Sequence, residues 1–407
     1  MRKKVYIAAG YTTTFFGPGR KEFDPKQEMP SFETYLKETA EGTCGQLQQI
    51  DFDEGFIGSF MSPRFLKQAN IPGFLPFMVP ELNGKPCTGV EGACGTGGRT
   101  LAAAINSILS DQSDATFVAA YEIQNCVKSV YGADILAGAS YYKGMRKEGY
   151  AHFFPGVFDK RAEAYLNQND RDLTWNAMAK WYEQAIVNAR KNPKAQEFHN
   201  TKQNLFELGL TSPNPKKFLP HLNPYHCSKI TDGAASLGVF SEEGLKKCGI
   251  DRSQAVEVVS MGATQGDITK EPFDQAFLSQ SAKAAKNALE SAKLSVKEMG
   301  IVEVHDCFAI TGLLALEAIG LAPKGGAPKL IMEGTFSKEG KVPTNLSGGL
   351  IGFGHPTGAS GVRMMVDLQR QLTGQADNQY QTSNPYGLML SMGGNDITST
   401  CIIVKPV

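Results

Sequence analysis

The chain carries no net charge, because forty-one Lys and Arg residues balance forty-one Asp and Glu. No overall field therefore draws it to nucleic acid or to an anionic membrane, and any anionic ligand must be held by a local cluster. Long apolar runs are also missing. No stretch approaches the roughly 18 apolar residues of a spanning helix, and "FLPFMVPEL" at 74–82 is short and broken by prolines. In "MRKKVYIAAGYTTTF" the apolar stretch Val5 to Ala9 is too short for a secretory signal and reads as a first strand. Paired cysteine motifs are absent as well. Cys44, Cys87, Cys94, Cys126, Cys227, Cys248, Cys307 and Cys401 are scattered without a CxxC, in a chain too large to need disulfide staples. His226 and Cys227 are adjacent, but a zinc site needs four grouped ligands and nothing nearby completes one. These absences lead us to expect a soluble cytoplasmic protein with free thiols, no metal, no nucleic-acid partner and no membrane span.

What is present points to an α/β fold. Segments reading as strands (Val5 to Ala9, Phe56 to Ser59, Thr116 to Ala120) alternate with helical stretches at Ser31 to Gln49 and Thr100 to Ser110. From about Asn125 to Cys227 the texture changes to aromatics, prolines, the basic stretch "YYKGMRKEGYAHFFPG" and a helix "WNAMAKWYEQAIVNARKN", which reads as an insertion. Alternation then resumes through "ITDGAASLGVFS", "AVEVVSMGAT", the amphipathic run Gln275 to Ser295, "IVEVHDCF" and a closing strand pair around "GLMLSMGGNDITSTCIIV". A partial internal echo lays "CGTGGRTLAAAI" from Cys94 on "HPTGASGVRMMV" from His355, which suggests duplicated halves facing each other.

Three places carry the residue types of nucleophilic catalysis. Cys94 sits between glycines just before a helical run, where unpaired N–H groups and the helix dipole are expected to lower a thiol's pKa. Gly92, Gly95, Gly97 and Gly98 beside it allow close approach of backbone and substrate. That segment alone fits a small buried cysteine at a tight turn equally well. His355, in "GGLIGFGHPTGASG", again opens a helix. His305, in "VEVHDCFAITG", ends an apolar strand, the position of active sites in parallel sheets, although a satisfied core histidine beside a helix-capping Asp306 fits the same pattern. Together they supply a thiol nucleophile, a base and a second acid/base, which is what cysteine-dependent acyl transfer requires.

With these motifs in order along nearly its full length, the chain resembles the thiolases, and within them the sterol-carrier-protein-type branch. The resemblance implies two similar βαβαβαββ halves forming a five-layered αβαβα core with an inserted loop domain. It divides the chain into an N-terminal half (1–124 and 228–250), a loop domain covering coenzyme A (125–227) and a C-terminal half (251–407). It implies Cys94 as the acylated nucleophile, His355 as its base, His305 as an oxyanion donor and Cys307 as the acid/base for the second acyl thioester. Gly393 offers a backbone N–H to an oxyanion. Ser228 of "HCSKITDGAAS" is a candidate pantetheine contact. The basic residues Lys143, Arg146 and Lys147 are candidates for the coenzyme A phosphates, although a solvated basic loop fits them better. The implied reaction makes or cleaves a 3-ketoacyl-CoA, acetoacetyl-CoA or one of short to medium chain, with acyl-CoA and CoA as ligands and no bound cofactor. A homodimer or dimer of dimers is implied, and a partner enzyme or small accessory protein is possible by the same resemblance.

Two departures stand out. Most thiolases carry a second cysteine in a Cys-x-Gly motif near the C-terminus, but this chain reads "SMGGND", with Ser391 in that place. A hydroxyl is far too weak an acid to replace a thiol, so the task falls to Cys307, a relocation that the sterol-carrier-type branch shares. Glu91 stands three residues before Cys94, where the family usually has a neutral residue. Facing the sulfur it would oppose ionisation, so it is expected to point to a helix or a subunit interface. Two rival readings use the same fold: a ketoacyl-synthase-like condensing enzyme or other acyltransferase, and a catalytically weak lipid-binding or scaffold protein working with partner chains. The condensing-enzyme rival lacks an "HGTGT" stretch and leaves Cys307 without a task.

Overall fold

The computed structural model describes residues 3–146 and 153–407. Among these residues nine strands form one sheet: β1 (Tyr6–Thr12), β2 (Glu54–Gly58), β3 (Cys87–Val90), β4 (Ala115–Glu122), β5 (Gly233–Phe240), β6 (Val256–Gln265), β7 (Met299–Val304), β8 (Tyr386–Gly393) and β9 (Thr398–Pro406). Their order is β3-β2-β4-β5-β1-β6-β9-β8-β7. In the first half β2 runs parallel to β3 and β4, whereas β5 is antiparallel to β4 and β1. The second half mirrors this. There β7 is parallel to β8, β9 is antiparallel to β8 and β6, and a parallel bridge between Val302 and Thr344 takes the place of the outermost strand. The halves meet where β1 pairs with β6 at Tyr6 and Ile7. The echo noticed in the sequence is therefore a repeat of topology.

Five layers follow from which elements are apolar on both sides. β4 (ATFVAAYE) and β5 (GAASLGVF) are buried at every position, the signature of strands covered on both faces. An outer helix, α1 (Phe32–Cys44), packs on β1 and β5 with an apolar stripe of Tyr35, Leu36 and Ala40. Helix α2 (Thr96–Leu109) follows Cys94 and lies against strands of both halves. The segment between β4 and β5 contains α3 (Ser129–Leu136), α4 (Phe153–Gln168) and α5 (Arg171–Ala189) and, among the described residues, adds no strand to the sheet. On the far side of the second half lie α6 (Ser279–Ala292) and α7 (Ala309–Ala318). Helix α8 (Ser360–Leu372), after His355, completes the central layer beside α2.

The two central helices touch backbone to backbone. A methyl group on Gly97 would stand 2.6 Å from the Val362 nitrogen and 2.8 Å from the Gly361 Cα, so no side chain fits at this crossing. Bulkier residues would separate the helices and with them Cys94 and His355.

Some boundaries differ from the sequence reading. The helix expected over 31–49 stops at Cys44, and the one expected from Thr100 starts earlier, at Thr96. Strand β3 was not anticipated because CTGV is short and only half-buried at an edge of the sheet, which leaves little periodicity to read. The run Gln275 to Ser295 becomes a helix only from Ser279 to Ala292.

Candidate active site

Cys94 lies in a single tight turn, Ala93–Gly95, between β3 and α2. Ala93 adopts φ 53°, a left-handed conformation unusual for a residue with a Cβ, and two side chains hold it there. Glu91 accepts the Ala93 N–H at 2.6 Å, and Thr96 Oγ1 donates to the Ala93 carbonyl at 2.7 Å while accepting the Gly92 N–H. Glu91 is thus exposed and folded back on the turn itself, rather than reaching a helix. Gly393 presses on the same turn so closely that a Cβ there would be 2.4 Å from the Gly92 carbonyl.

A cavity of about 360 Å3 opens above this turn. Its wall includes Cys94, His305, Cys307, His355, Ser228 and Gly393, six of the nine candidate residues singled out from the sequence. Lys143 and Arg146 stand outside that lining. Lys143 is exposed on the turn Tyr142–Met145, and Arg146 Nε lies 2.9 Å from Asp134 of α3. Lys147 falls outside the described residues.

Each cavity residue is fixed by its own element. His355 Nδ1 lies 2.7 Å from Ser360 Oγ, whose hydroxyl donates to the Pro356 carbonyl at 2.9 Å. With that proton committed, Ser360 accepts from Nδ1–H, so Nε2 carries the lone pair. The backbone of His355 is pinned too, its N–H donating to Thr231 Oγ1 and its carbonyl accepting from Gln124 Nε2, both at 3.0 Å. His305 follows β7, whose end is clamped by Asn345 through the N–H and carbonyl of Val304. Its imidazole is buried with neither nitrogen bonded to any of the described residues, and it meets the His355 ring edge to face at 5.1 Å. A satisfied core histidine would have found partners. Asp306 does not cap the helix that follows it; it accepts the Leu350 N–H, in the first turn of the short helix Gly349–Gly352, at 2.7 Å and the Trp181 indole N–H at 3.0 Å. Cys307 is buried with its sulfur 3.7 Å from Thr311 Oγ1.

Burial dominates the electrostatics. The Cys94 thiol is pushed up to about 12, first by desolvation and then by the nearby Glu122 carboxylate. Backbone N–H groups of Gly394 and Cys94 itself oppose this, and Glu91 adds a smaller rise. The sequence argument for a thiol lowered by a helix dipole is therefore corrected. Desolvation likewise holds His355 down to about 3, with Arg363 assisting, and drives the Cys307 thiol well above its ordinary value, Cys94 adding to the effect. The resting site contains neutral thiols and a neutral imidazole.

Ser391 does not reach the cavity. Its hydroxyl is buried without a partner against Gly98 and Gly361, and the neighbouring Met392 lines the wall instead. Sequence reasoning passed over Ser360, Gln124 and Glu122. The short step from His355 to Ser360 was a local signal for Ser360, whereas Gln124 and Glu122 lie 231 and 235 residues from the partners they hold in the His355 segment. Glu122, at the end of β4, is 1% exposed. It accepts from the Phe60, Met61 and Gly358 N–H groups and from the Ser59 and Thr357 hydroxyls, tying the two halves together beside the cavity.

Residues 263–405 match the family described as Thiolase C-terminal domain-like. Over 359 residues the chain is 28% identical to an acetyl-CoA acetyltransferase of Methanocaldococcus jannaschii, covering 86% of this chain and 88% of that one. Two solved structures share the fold at 16% identity. One is an Ltp2-ChsH2(DUF35) aldolase, with a TM-score of 0.80 over 99% of this chain and 98% of that one. The other is human mitochondrial 3-ketoacyl-CoA thiolase in complex with CoA, with a TM-score of 0.70 over 100% and 98%. Two topologically similar halves, a cysteine turn and a histidine turn meeting across the central helices, and these likenesses over most of the length lead to one conclusion: the chain has the thiolase fold, and its residues 263–405 match the thiolase C-terminal domain.

Proposed function

We propose that the protein is an acyltransferase that passes an acyl group through a thioester on Cys94 to or from coenzyme A, making or cleaving a short- or medium-chain 3-ketoacyl-CoA. The observation that carries this reading is the convergence of two thiols and two imidazoles, Cys94, Cys307, His305 and His355, on one cavity beside the Gly393–Gly394 backbone.

The chemistry follows from the neutral resting state. His355 Nε2 takes the Cys94 proton as the sulfur attacks the thioester carbonyl, and the N–H groups at Cys94 and Gly393–Gly394 receive the oxyanion. The imidazolium returns that proton to the departing coenzyme A sulfur, leaving acyl-Cys94 and a neutral base. When a second acyl-CoA binds, the neutral His305 imidazole takes the Cys307 proton, the Cys307 thiolate so formed takes an α proton from the acyl-CoA, and the enolate oxygen rests against the His305 imidazolium. The carbanion attacks acyl-Cys94, the carbon–sulfur bond breaks, and the Cys94 thiolate takes the imidazolium proton, leaving both thiols and the imidazole neutral. Run backwards, the same steps cleave a 3-ketoacyl-CoA. The condensing-enzyme alternative gives Cys307 no task, and its place on the cavity wall argues against that reading.

In the same reading, residues 125–227 form the domain that covers coenzyme A, with Ser228 beside the pantetheine arm. Ser129, Ala133 and Leu136 of α3 line the cavity and Asp134 of that helix holds Arg146, which supports Arg146, and with it Lys143, as ligands for the coenzyme A phosphates. The exposed edge strand β3 offers a pairing surface for a second copy, in keeping with a dimer. Eight free cysteines accord with the cytoplasm, and among the described residues no helix is long and apolar enough to cross a membrane. A partner protein stays part of this reading, tested by copurification.

The direct test is to incubate the purified protein with acetyl-CoA and longer acyl-CoAs and map the acylated peptide by mass. The acyl group is expected on the peptide containing Cys94 and absent in Cys94→Ala. Acylation at Cys307 would reverse the two roles.

A further inference from the structure

The turn that supplies the oxyanion donors is held in a costly shape. Gly394, Asn395 and Asp396 are consecutive left-handed residues, with φ of 59°, 59° and 70°. Glycine adopts that region freely, but two successive residues bearing side chains persist there only if neighbours over-determine them. Asp396 is held from within its own half, accepting the N–H groups of Gln280 and Ser281 at the start of α6 and the Ser281 hydroxyl at 2.6 Å. Asn395 is held from elsewhere.

Its holder is Arg161, on helix α4 of the inserted segment. The guanidinium is completely buried. Nε donates to Asn395 Oδ1 at 2.5 Å and Nη2 to the Asn395 carbonyl at 3.1 Å. Nη1 donates to the carbonyls of Gln275 and Phe277 at 3.0 and 3.1 Å. These carbonyls explain why α6 begins only at Ser279, because the residues before it turn their backbone oxygens toward Arg161. A buried cation is costly unless its donors are satisfied. Here they are spent on one turn and the segment beside it, in a fork geometry that a lysine cannot reproduce.

We propose that Arg161 is a positioning residue for acyl transfer: it fixes the Gly394–Asn395–Asp396 turn and so aims the Gly393 and Gly394 N–H groups at the carbon–oxygen bond polarised on Cys94. The inference rests on the acyl-transfer reading above. It makes the inserted segment a structural part of the catalytic centre, so that the helix packed over the cavity sets the donors beneath it.

Arg161→Lys keeps the charge and loses the fork, and Asn395→Gly removes the side-chain acceptor of Nε, keeping the backbone carbonyl and tolerating the left-handed backbone. In the whole enzyme, single-turnover acylation of Cys94 at saturating acyl-CoA is expected to slow about 100-fold in Arg161→Lys, the effect of a misdirected oxyanion donor. At least tenfold slowing is expected in Asn395→Gly. The acyl-CoA concentration giving half-maximal rate should move less than about threefold, and so should alkylation of Cys94 by iodoacetamide, which needs no oxyanion donor. Acylation at the parent rate in Arg161→Lys would overturn the proposal, as would a parallel loss of acylation and alkylation, which marks general collapse of the site. Should Arg161→Lys fail to fold, Asn395→Gly decides by the same criteria. A parent enzyme that no acyl-CoA labels would instead overturn the acyl-transfer reading itself, and the assigned role with it.

Discussion

Adding one methyl group where the central helices cross tests whether the catalytic geometry depends on that crossing. In Gly97→Ala the new Cβ would lie 2.6 Å from the Val362 nitrogen and 2.8 Å from the Gly361 Cα. Both are backbone atoms of a buried helical turn and cannot rotate away. Ordinary contact begins near 3.4 Å, so α2 and α8 must part by roughly 0.8 Å. Overpacking of this kind costs about 1–3 kcal/mol. In the acyl-transfer reading the catalytic cost is larger in proportion, because α2 begins two residues after Cys94 and α8 five after His355, so the displacement falls between the proposed nucleophile and its proposed base. A misplacement of about 1 Å slows a positioned reaction up to ~100-fold, so acylation of Cys94 is expected to fall about 10- to 100-fold while the protein remains folded. Single-turnover labelling with acyl-CoA, followed by mass, reads the rate, and thermal melting reads the stability. Parent-like acylation with an unchanged melting temperature would refute the backbone contact and the dependence of the site on it.

Cys94→Ala should abolish labelling by acyl-CoA and leave melting nearly unchanged, since it removes one sulfur facing the cavity rather than core volume; labelling that survives would move the nucleophile elsewhere. The acylation rate of the parent should stay flat from pH 5 to pH 9, because the imidazole, held down at about 3, is already neutral and the thiol, pushed up to about 12, is still protonated. In His355→Ala the rate should start lower and climb about tenfold per pH unit, as unaided ionisation of the thiol takes over; a flat profile in that variant would leave His355 only a structural role. Cys307→Ala should still be acylated at Cys94 yet fail to exchange the α protons of acetyl-CoA in heavy water, and exchange at the parent rate would remove Cys307 from carbon–carbon chemistry.

The site favours neutral partners for a reason of magnitude. A helix N-terminus stabilises an anion by about 0.3–1 kcal/mol, and up to ~2 kcal/mol in partly buried settings. Raising a thiol from 9.0 to about 12 corresponds to about 4 kcal/mol against the anion. Burial wins, so in the acyl-transfer reading the thiolate exists only while His355 holds its proton. The benefit is a cavity in which donors aimed at an oxyanion act without competition from water.

From the sequence alone come the alternation of strands and helices, the change of texture at 125–227, and the choice of Cys94, His355, His305 and Cys307, which the folded chain brings to one cavity. These were legible because they are local: an apolar run ending in His-Asp-Cys, a cysteine or histidine among glycines before a helix, and a change of composition at the insertion. Tertiary structure decided everything that depends on enclosure or on distant partners. Whether Cys94 rests as thiol or thiolate turned on how completely the halves bury it, which no window of sequence reports. Glu91 turned back to hold Ala93, and Ser391 vanished beneath α2, because the register of β8 and the crossing at Gly97 and Gly361 set where each side chain points. Glu122 and Arg161 lie far in sequence from the turns they hold, Arg161 being 234 residues from Asn395. Such pairings have no periodic signature, since they arise only when the folded layers bring separate turns together.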